Sequence, residues 1–133
     1  MTVRITGVPF DEIVPEIQEA LDTALAGTLN LQQGNLAKAN PVDSGRMAAS
    51  WNVGHNTPDR SVKPEGQQPP IPTPYSGKIT FDGTWYISNS LPYSLFIAYN
   101  YPPSATKAQK DWFTAVANQT GNVFTAQYNK VKP

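Results

Sequence analysis

Apolar residues recur every four positions early in the chain, at Ile13, Ile17, Leu21 and Leu25, which places them on one stripe of a helix. The spacing predicts a helix over residues 11–39. Glu12, Glu16 and Glu19 fall near its start, where the helix dipole favours negative charge. Two starts stay open. Either Asp11 is the cap and Pro15 lies just inside, or Val14 precedes a helix that begins at Pro15, where the missing N–H of proline costs nothing. Such a helix would run about 40 Å, long for a chain of 133 residues. Gly27 and Gly34 within it each cost about 1 kcal/mol against alanine. They lie near Ala20 and Ala24 in helical phase. Either a small-residue stripe admits a second helix closely, or the helix breaks or bends at one of the glycines.

Further on the period changes. Over residues 47–55, Ala49, Trp51, Val53 and His55 alternate with Ser50, Asn52 and Gly54, the pattern of a half-buried strand. Residues 78–90 read as a hairpin with Asp82-Gly83 at its tip. A three-residue loop, Phe81-Asp82-Gly83 with Gly83 left-handed, sets Ile79 opposite Trp85 and keeps Ile87 on the same face, giving the sheet one apolar side. Residues 91–99 are densely apolar. Pro92 suits the first position of a short helix that packs Tyr93, Phe96, Ile97 and Tyr99 on the sheet. After a loop at 100–103, Ser104 or Thr106 can cap a last helix to about Lys130. Its inner face is Phe113, Val116, Ala117, Thr120, Val123, Phe124, Gln127 and Tyr128, and Lys130 and Lys132 suit its C-terminal dipole. Residues 1–10 are a lead-in, either an arm or an edge strand. The chain contains no internal repeat.

Two segments interrupt these periods. In Ala39-Asn40-Pro41-Val42-Asp43-Ser44-Gly45-Arg46-Met47-Ala48-Ala49-Ser50-Trp51, Pro41 stops a helix and pushes Asn40 out of the helical region. Asp43, Ser44 and Gly45 supply turn chemistry, and Asp43 or Ser44 could cap a new helical turn at 46–49. Residues 57–77 hold six of the thirteen prolines, Pro58, Pro64, Pro69, Pro70, Pro72 and Pro74. They cannot form a central strand and read as a long, exposed, polyproline-rich loop. Pro69-Pro70-Ile71-Pro72 fits a P-x-x-P ligand pattern only formally, and a plain flexible insertion is the simpler reading.

Composition narrows the function. One domain is expected at this length, with enough chain to bury a core. There is no cysteine, and ten Lys plus Arg balance ten Asp plus Glu. A neutral chain lacks the basic footprint of a tight nucleic-acid binder, although a local basic lining stays open. No apolar run approaches the roughly 18 residues of a membrane span, and Met1-Thr2-Val3-Arg4 lacks a signal pattern. A soluble protein without a cleaved signal is expected. His55 is the single histidine, and no cluster has metal-ligand spacing. No nucleophile elbow, phosphate-cradling glycine loop or dinucleotide fingerprint occurs. Asp11, Glu12 and Asp43 form a carboxylate set no more distinctive than in any chain. Asn118-Gln119-Thr120 matches a glycosylation sequon that means nothing without a secretory signal. The three Trp and six Tyr could line a sugar or peptide groove, but aromatics also concentrate in cores and interfaces. The expectation is a protein that is not an enzyme and carries no cofactor or metal.

The segment at 39–51 and a second one, Ile87-Ser88-Asn89-Ser90-Leu91-Pro92-Tyr93-Ser94 running on to Ala98-Tyr99-Asn100, together resemble the neck or tail-completion proteins of tailed bacteriophages, the minor tail-component family at the head–tail junction. That family carries a Pro-Val-Asp-Thr-Gly-Arg-like motif after a long N-terminal helix. An Asn then precedes Pro-Tyr-Ala and Glu-Tyr-Gly, and a Gly-Trp-like pair opens a C-terminal helix. Here Ser44 replaces Thr, Ala98-Tyr99-Asn100 stands for Glu-Tyr-Gly and loses the acid, and Asp111-Trp112-Phe113 stands for Gly-Trp. Order and spacing correspond over roughly residues 11–130. The resemblance implies an α+β subunit, with a long N-terminal helix and a C-terminal helix packed on a small, mainly antiparallel sheet and a long Pro-rich loop.

It also implies a structural virion protein, assembled in the host cytoplasm into a ring between head connector and tail, around a channel through which DNA passes without sequence-specific binding. A hexamer is favoured, with a dodecamer as the alternative. The neighbours would be the connector or stopper and the tail-terminator or tail-tube proteins, and no membrane is involved. The positions carried over as structural or interface residues are Asp43, Gly45, Arg46 and Tyr93; Pro41, Val42, Ser44 and Trp51 belong to the same motif. The candidate contact loop is Pro64, Pro69, Pro70, Ile71, Pro72, Pro74 and Tyr75, joined by the two chain ends as arms that order on assembly. Deleting residues 67–74 is expected to leave the monomer folded but to impair assembly. The alternatives are a tail-terminator ring, a monomeric aromatic glycan- or peptide-binding module, and a small enzyme using Asp43 or His55.

Overall fold

Ile87 sits at the centre of the sheet, between Val3 and Val53 on the strands to either side. A computed structural model describes residues 1–7, 14–41, 44–99 and 110–133 of the chain. Strands β1 (Thr2–Thr6), β2 (Trp51–His55) and β3 (Thr84–Asn89) form one antiparallel sheet in the order β1-β3-β2. Val3, Ile87 and Val53 lie side by side across it, as do Ile5, Trp85 and His55. Successive side chains alternate faces, so these rows form the inner face, and Trp51, Trp85 and Ile87 are fully buried there.

The hairpin expected at 78–90 is not formed. β3 pairs instead with β1 and β2, and the lead-in at 1–10 supplies an edge strand. The polar groups of residues 80–82 are used elsewhere. The Phe81 N–H donates to Asp22 Oδ1 (2.7 Å), and the Thr80 carbonyl accepts from Trp85 Nε1 (2.9 Å) and the Asp82 N–H (2.9 Å). Gly83 is left-handed, as expected, at φ +64°. It turns the chain into β3 rather than back along a hairpin.

Helix α1 spans Pro15–Ala39, with Val14 as its N-cap. The start is therefore the second of the two alternatives; Asp11, Glu12 and Ile13 lie outside the described residues. The helix runs unbroken through both glycines. Its buried face is Ala20, Ala24, Leu25, Thr28, Leu29, Gln32, Gln33, Leu36 and Ala37. The expected stripe holds only in part: Leu25 is buried, Leu21 half-buried and Ile17 exposed. Length explains this. Twenty-five residues make a helix of about 37 Å, whereas a six-residue strand spans only about 20 Å. The first turns of α1 therefore outrun the sheet.

Short helices α2 (Arg46–Ala49) and α3 (Ser94–Tyr99) flank the sheet, and α4 (Trp112–Asn118) and α5 (Thr120–Val131) close the chain. Met47 and Ala49 thus lie in a helical turn, and the predicted strand begins only at Trp51. The expected last helix is divided at Gln119. The Gln32 side-chain amide, buried on α1, donates to the Val116 carbonyl (2.8 Å) and to Thr120 Oγ1 (2.9 Å). Thr120 Oγ1 in turn donates to the Ala117 carbonyl (2.8 Å). Side-chain bonds to helical carbonyls compete with the regular ladder and bend it. Over residues 112–131 the eight residues expected on the inner face are the buried or half-buried ones, together with Trp112. α5 lies antiparallel on α1: Gln32 meets Val116 and Thr120, and Gly27 faces Gln127. Close approach thus occurs at Gly27 but not at Gly34, which has open space.

The helix in the second motif starts later than expected. Asn89 Oδ1 accepts from the Leu91 N–H (3.3 Å), and Ser94 Oγ donates to the Asn89 carbonyl (3.3 Å). These bonds hold Pro92 and Tyr93 in a turn before Ser94. Leu91, Ser94 and Ala98 are buried, while Tyr93 is 40 % exposed and does not pack on the sheet. The expected loop at 100–103 and caps Ser104 and Thr106 lie outside the described residues, as do the side chains of Phe96 and Tyr99. No helix among the described residues is long and apolar enough to cross a membrane.

Candidate functional site

The turn that ends α1 is built around a buried amide. Pro41 forces Asn40 into the extended region, at ψ 128°, while the Asn40 N–H still closes the helix on the Leu36 carbonyl. The Asn40 side chain is then free to serve the core. Its Oδ1 accepts from Trp51 Nε1 (3.0 Å) and its Nδ2 donates to the Pro41 carbonyl (2.8 Å). Trp51 stacks on Phe113, with centroids 5.8 Å apart, and meets Trp112 edge-on. Asp43, carried over from the resembling motif, and Val42 beside it in that motif lie outside the described residues.

Ser44, Gly45 and Arg46 form a receptor for the proline-rich loop. The N-cap of α2 is Gly45, not Ser44, and no side chain caps the helix; Ser44 Oγ accepts from the Arg46 N–H (3.3 Å) from one residue further out. Gly45 has φ +82°, and a Cβ there would strike the Gln68 carbonyl. The Gln68 N–H donates to the Ser44 carbonyl (2.7 Å), and Arg46 Nε donates to the Lys63 carbonyl (2.7 Å). Ser50 Oγ accepts from the Lys63 N–H (3.0 Å). Gln33, buried on α1, donates from one amide nitrogen to the Trp51 carbonyl (2.8 Å) and the Thr73 carbonyl (2.9 Å). Nearer its start the loop covers the outer face of the sheet. Ser88 Oγ donates to the Asp59 carbonyl (3.3 Å), Asn52 Nδ2 donates to the Ser61 carbonyl, and a Cβ on Gly54 would meet the backbone at Thr57.

The loop at 57–77 is therefore strapped to the body, in contrast to the flexible insertion expected. Its backbone cannot enter a ladder at the prolines, but between them the N–H and C=O groups find side-chain partners, as buried backbone groups must. Tyr75 is half-buried, edge-on to Trp85 at 5.1 Å between centroids. Pro72 is half-buried, and Pro64, Pro69, Pro70 and Pro74 are exposed. Ile71 stands out at 72 % exposure. The crest of the loop thus lies beside the motif at 44–46.

The two segments that carry the resemblance meet here. Asn89 Nδ2 donates to the Met47 carbonyl (2.8 Å), tying the turn before α3 to α2. Between them is a cleft of about 240 Å³ lined by Pro41, Ser44, Gly45, Met47, Tyr93 and Ile97. Among the described residues its lining offers apolar surface and two hydroxyls, with no carboxylate, imidazole or amine. Sequence reading missed Gln33, Asn40 and Asn89, which hold the site together. The available signal was polarity at core positions: Gln33 lies between Leu29 and Leu36 on the inner face of α1.

The remaining candidate chemistry has structural employment. His55 stacks on Trp85 (4.0 Å between centroids), and its Nε2 lies 2.9 Å from the Asp82 carbonyl. No group of three or more potential metal ligands occurs among the described residues. All three tryptophans are buried. Comparisons with protein-family models, curated proteins and solved structures found no match.

Proposed function

We propose that this chain is a structural subunit of the head–tail junction of a tailed bacteriophage, a neck or tail-completion protein that joins head connector to tail as a ring around the DNA channel. The observation that carries the reading is the convergence of the two resembling segments on one cleft, through the bond from Asn89 to Met47. Separated by some forty residues in the chain, they come together as one surface rather than serving two unrelated turns. The strapped loop adds a rigid, exposed apolar crest at Ile71 beside that surface. Such a crest loses little freedom on docking, which favours its use as a contact. A ring requires a contact between unlike surfaces whose rotation closes, and a crest and a cleft are unlike surfaces. Burial of all three tryptophans weighs against the aromatic glycan-binding alternative, which needs an open stacking platform.

The test is location. An antibody against this chain, applied to tailed particles from a host that expresses it, should label the collar in electron micrographs. Purified particles that lack the chain altogether would overturn the reading.

A further inference from the structure

Charge is balanced over the whole chain but not in space. Residues 11–22 hold five of the ten acids and no base, while residues 107–133 hold four of the ten bases and one acid. The antiparallel packing of α1 and α5 brings Glu16 and Glu19, near the start of α1, and Lys130 and Lys132, at the end of α5, to one pole of the molecule. A groove there, of about 470 Å³, is lined by Glu16, Glu19, Ala20 and Thr23 on one side and Val131 and Pro133 on the other. Lys130 and Lys132 flank it, both exposed. Among the described residues no ion pair joins these glutamates to these lysines. The helix dipoles account for the sign of charge at each helix end. They do not account for the large apolar side chains left to water at the same pole. Val14 is 55 % exposed, Ile17 36 % and Val131 37 %.

A partner covering this pole needs an apolar centre, a basic lobe opposite the glutamates and an acidic lobe opposite the lysines. Those are the features of the pole itself. We propose that it is a self-complementary contact between two copies of the chain, with Lys130 and Lys132 of one copy facing Glu16 and Glu19 of the other. Val14, Ile17 and Val131 are withdrawn from water between them. A self-complementary contact joins two copies by its own symmetry, so the pairing is independent of the assembly reading above and is measured separately.

Light scattering of the purified chain tests it. At roughly 0.01 M salt, where the Debye length is about 30 Å, the native mass should rise above the 14.5 kDa of one chain, and at about 1 M, where that length is about 3 Å, it should fall back. Two charge-reversed variants, Glu16→Lys/Glu19→Lys and Lys130→Glu/Lys132→Glu, should each associate at least about tenfold more weakly, because like charges then face each other. Mixing the two should restore association to near the wild-type level, which a misfolded variant could not do. A wild-type chain that stays monomeric at low salt overturns the contact, as do variants that associate like wild type or folded variants that fail to complement. A ring unaffected by either variant removes this contact and leaves the junction reading standing. A salt-sensitive pair in a protein missing from the virion does the reverse.

Discussion

Gly45 is the residue at which backbone conformation and loop docking coincide. A left-handed φ costs a non-glycine residue about 1–3 kcal/mol, and here a Cβ would also strike the Gln68 carbonyl. Gly45→Ala should therefore lower unfolding stability in urea by about 2 kcal/mol or more and quicken tryptic cleavage after Arg60 as the loop lifts. An unchanged digestion pattern would show that the strap does not depend on this glycine. Asn40 makes a second demand of this kind. Asn40→Ala strips the buried Trp51 Nε1 of its acceptor, and an orphaned buried donor costs about 1–3 kcal/mol. A loss under about 0.5 kcal/mol would show that the bond contributes little net stability. Neither position stood out for that reason in the sequence. Glycine and asparagine after a helix announce a turn, but the donor that Asn40 serves is eleven residues away.

Among the elements, α1 makes two contrasting predictions. Gly34 lies in mid-helix with open space around it, so Gly34→Ala should raise stability by about 1 kcal/mol, the difference in helix propensity. At Gly27 the same change presses on Gln127 of α5 and should gain less. Equal gains at the two sites, measured by thermal or urea unfolding, would show that α5 does not approach α1 closely. The proline-rich loop is the other element with a sharp expectation. Deleting residues 67–74 removes the bonds from Gln68 to Ser44 and from Thr73 to Gln33, so the deletion disturbs the fold as well as any contact. Ile71→Asp leaves every strap in place. As a surface change it should shift stability by no more than about 0.5 kcal/mol, and on the junction reading it should impair assembly onto the connector. Normal assembly by that variant would remove the crest from the interface. Periodicity made most elements legible: α1, β2, β3, the inner face of the last two helices and the left-handed Gly83. It failed at the hairpin, because a pattern such as Ile79, Phe81, Trp85, Ile87 shows that segments seek apolar cover without showing which segment provides it.

At the scale of the whole molecule, the inner sheet face and the buried face of α1 are covered within the chain, while three surfaces among the described residues carry the proposals: the cleft at the motif, the loop crest beside it and the charged pole of the helix pair. The first two belong to the proposed junction and the third to the proposed contact between copies. Only the third is electrostatic, so only its contribution to native mass should vanish with salt.

Local rules act over a few residues, and those rules were readable in the sequence. The spacing of apolar positions defined helix and strand, Pro41 ended α1, and the proline density of 57–77 barred a central strand. Tertiary structure alone decided which strand lies beside β3, where α1 outruns the sheet, why Gln33 and Asn89 are polar in the core, and that the loop is strapped down. Each of these depends on a partner distant in the chain. Which distant group wins is settled by burying apolar area while pairing nearly all the buried polar atoms, a condition on the whole packed molecule that no single window of sequence contains.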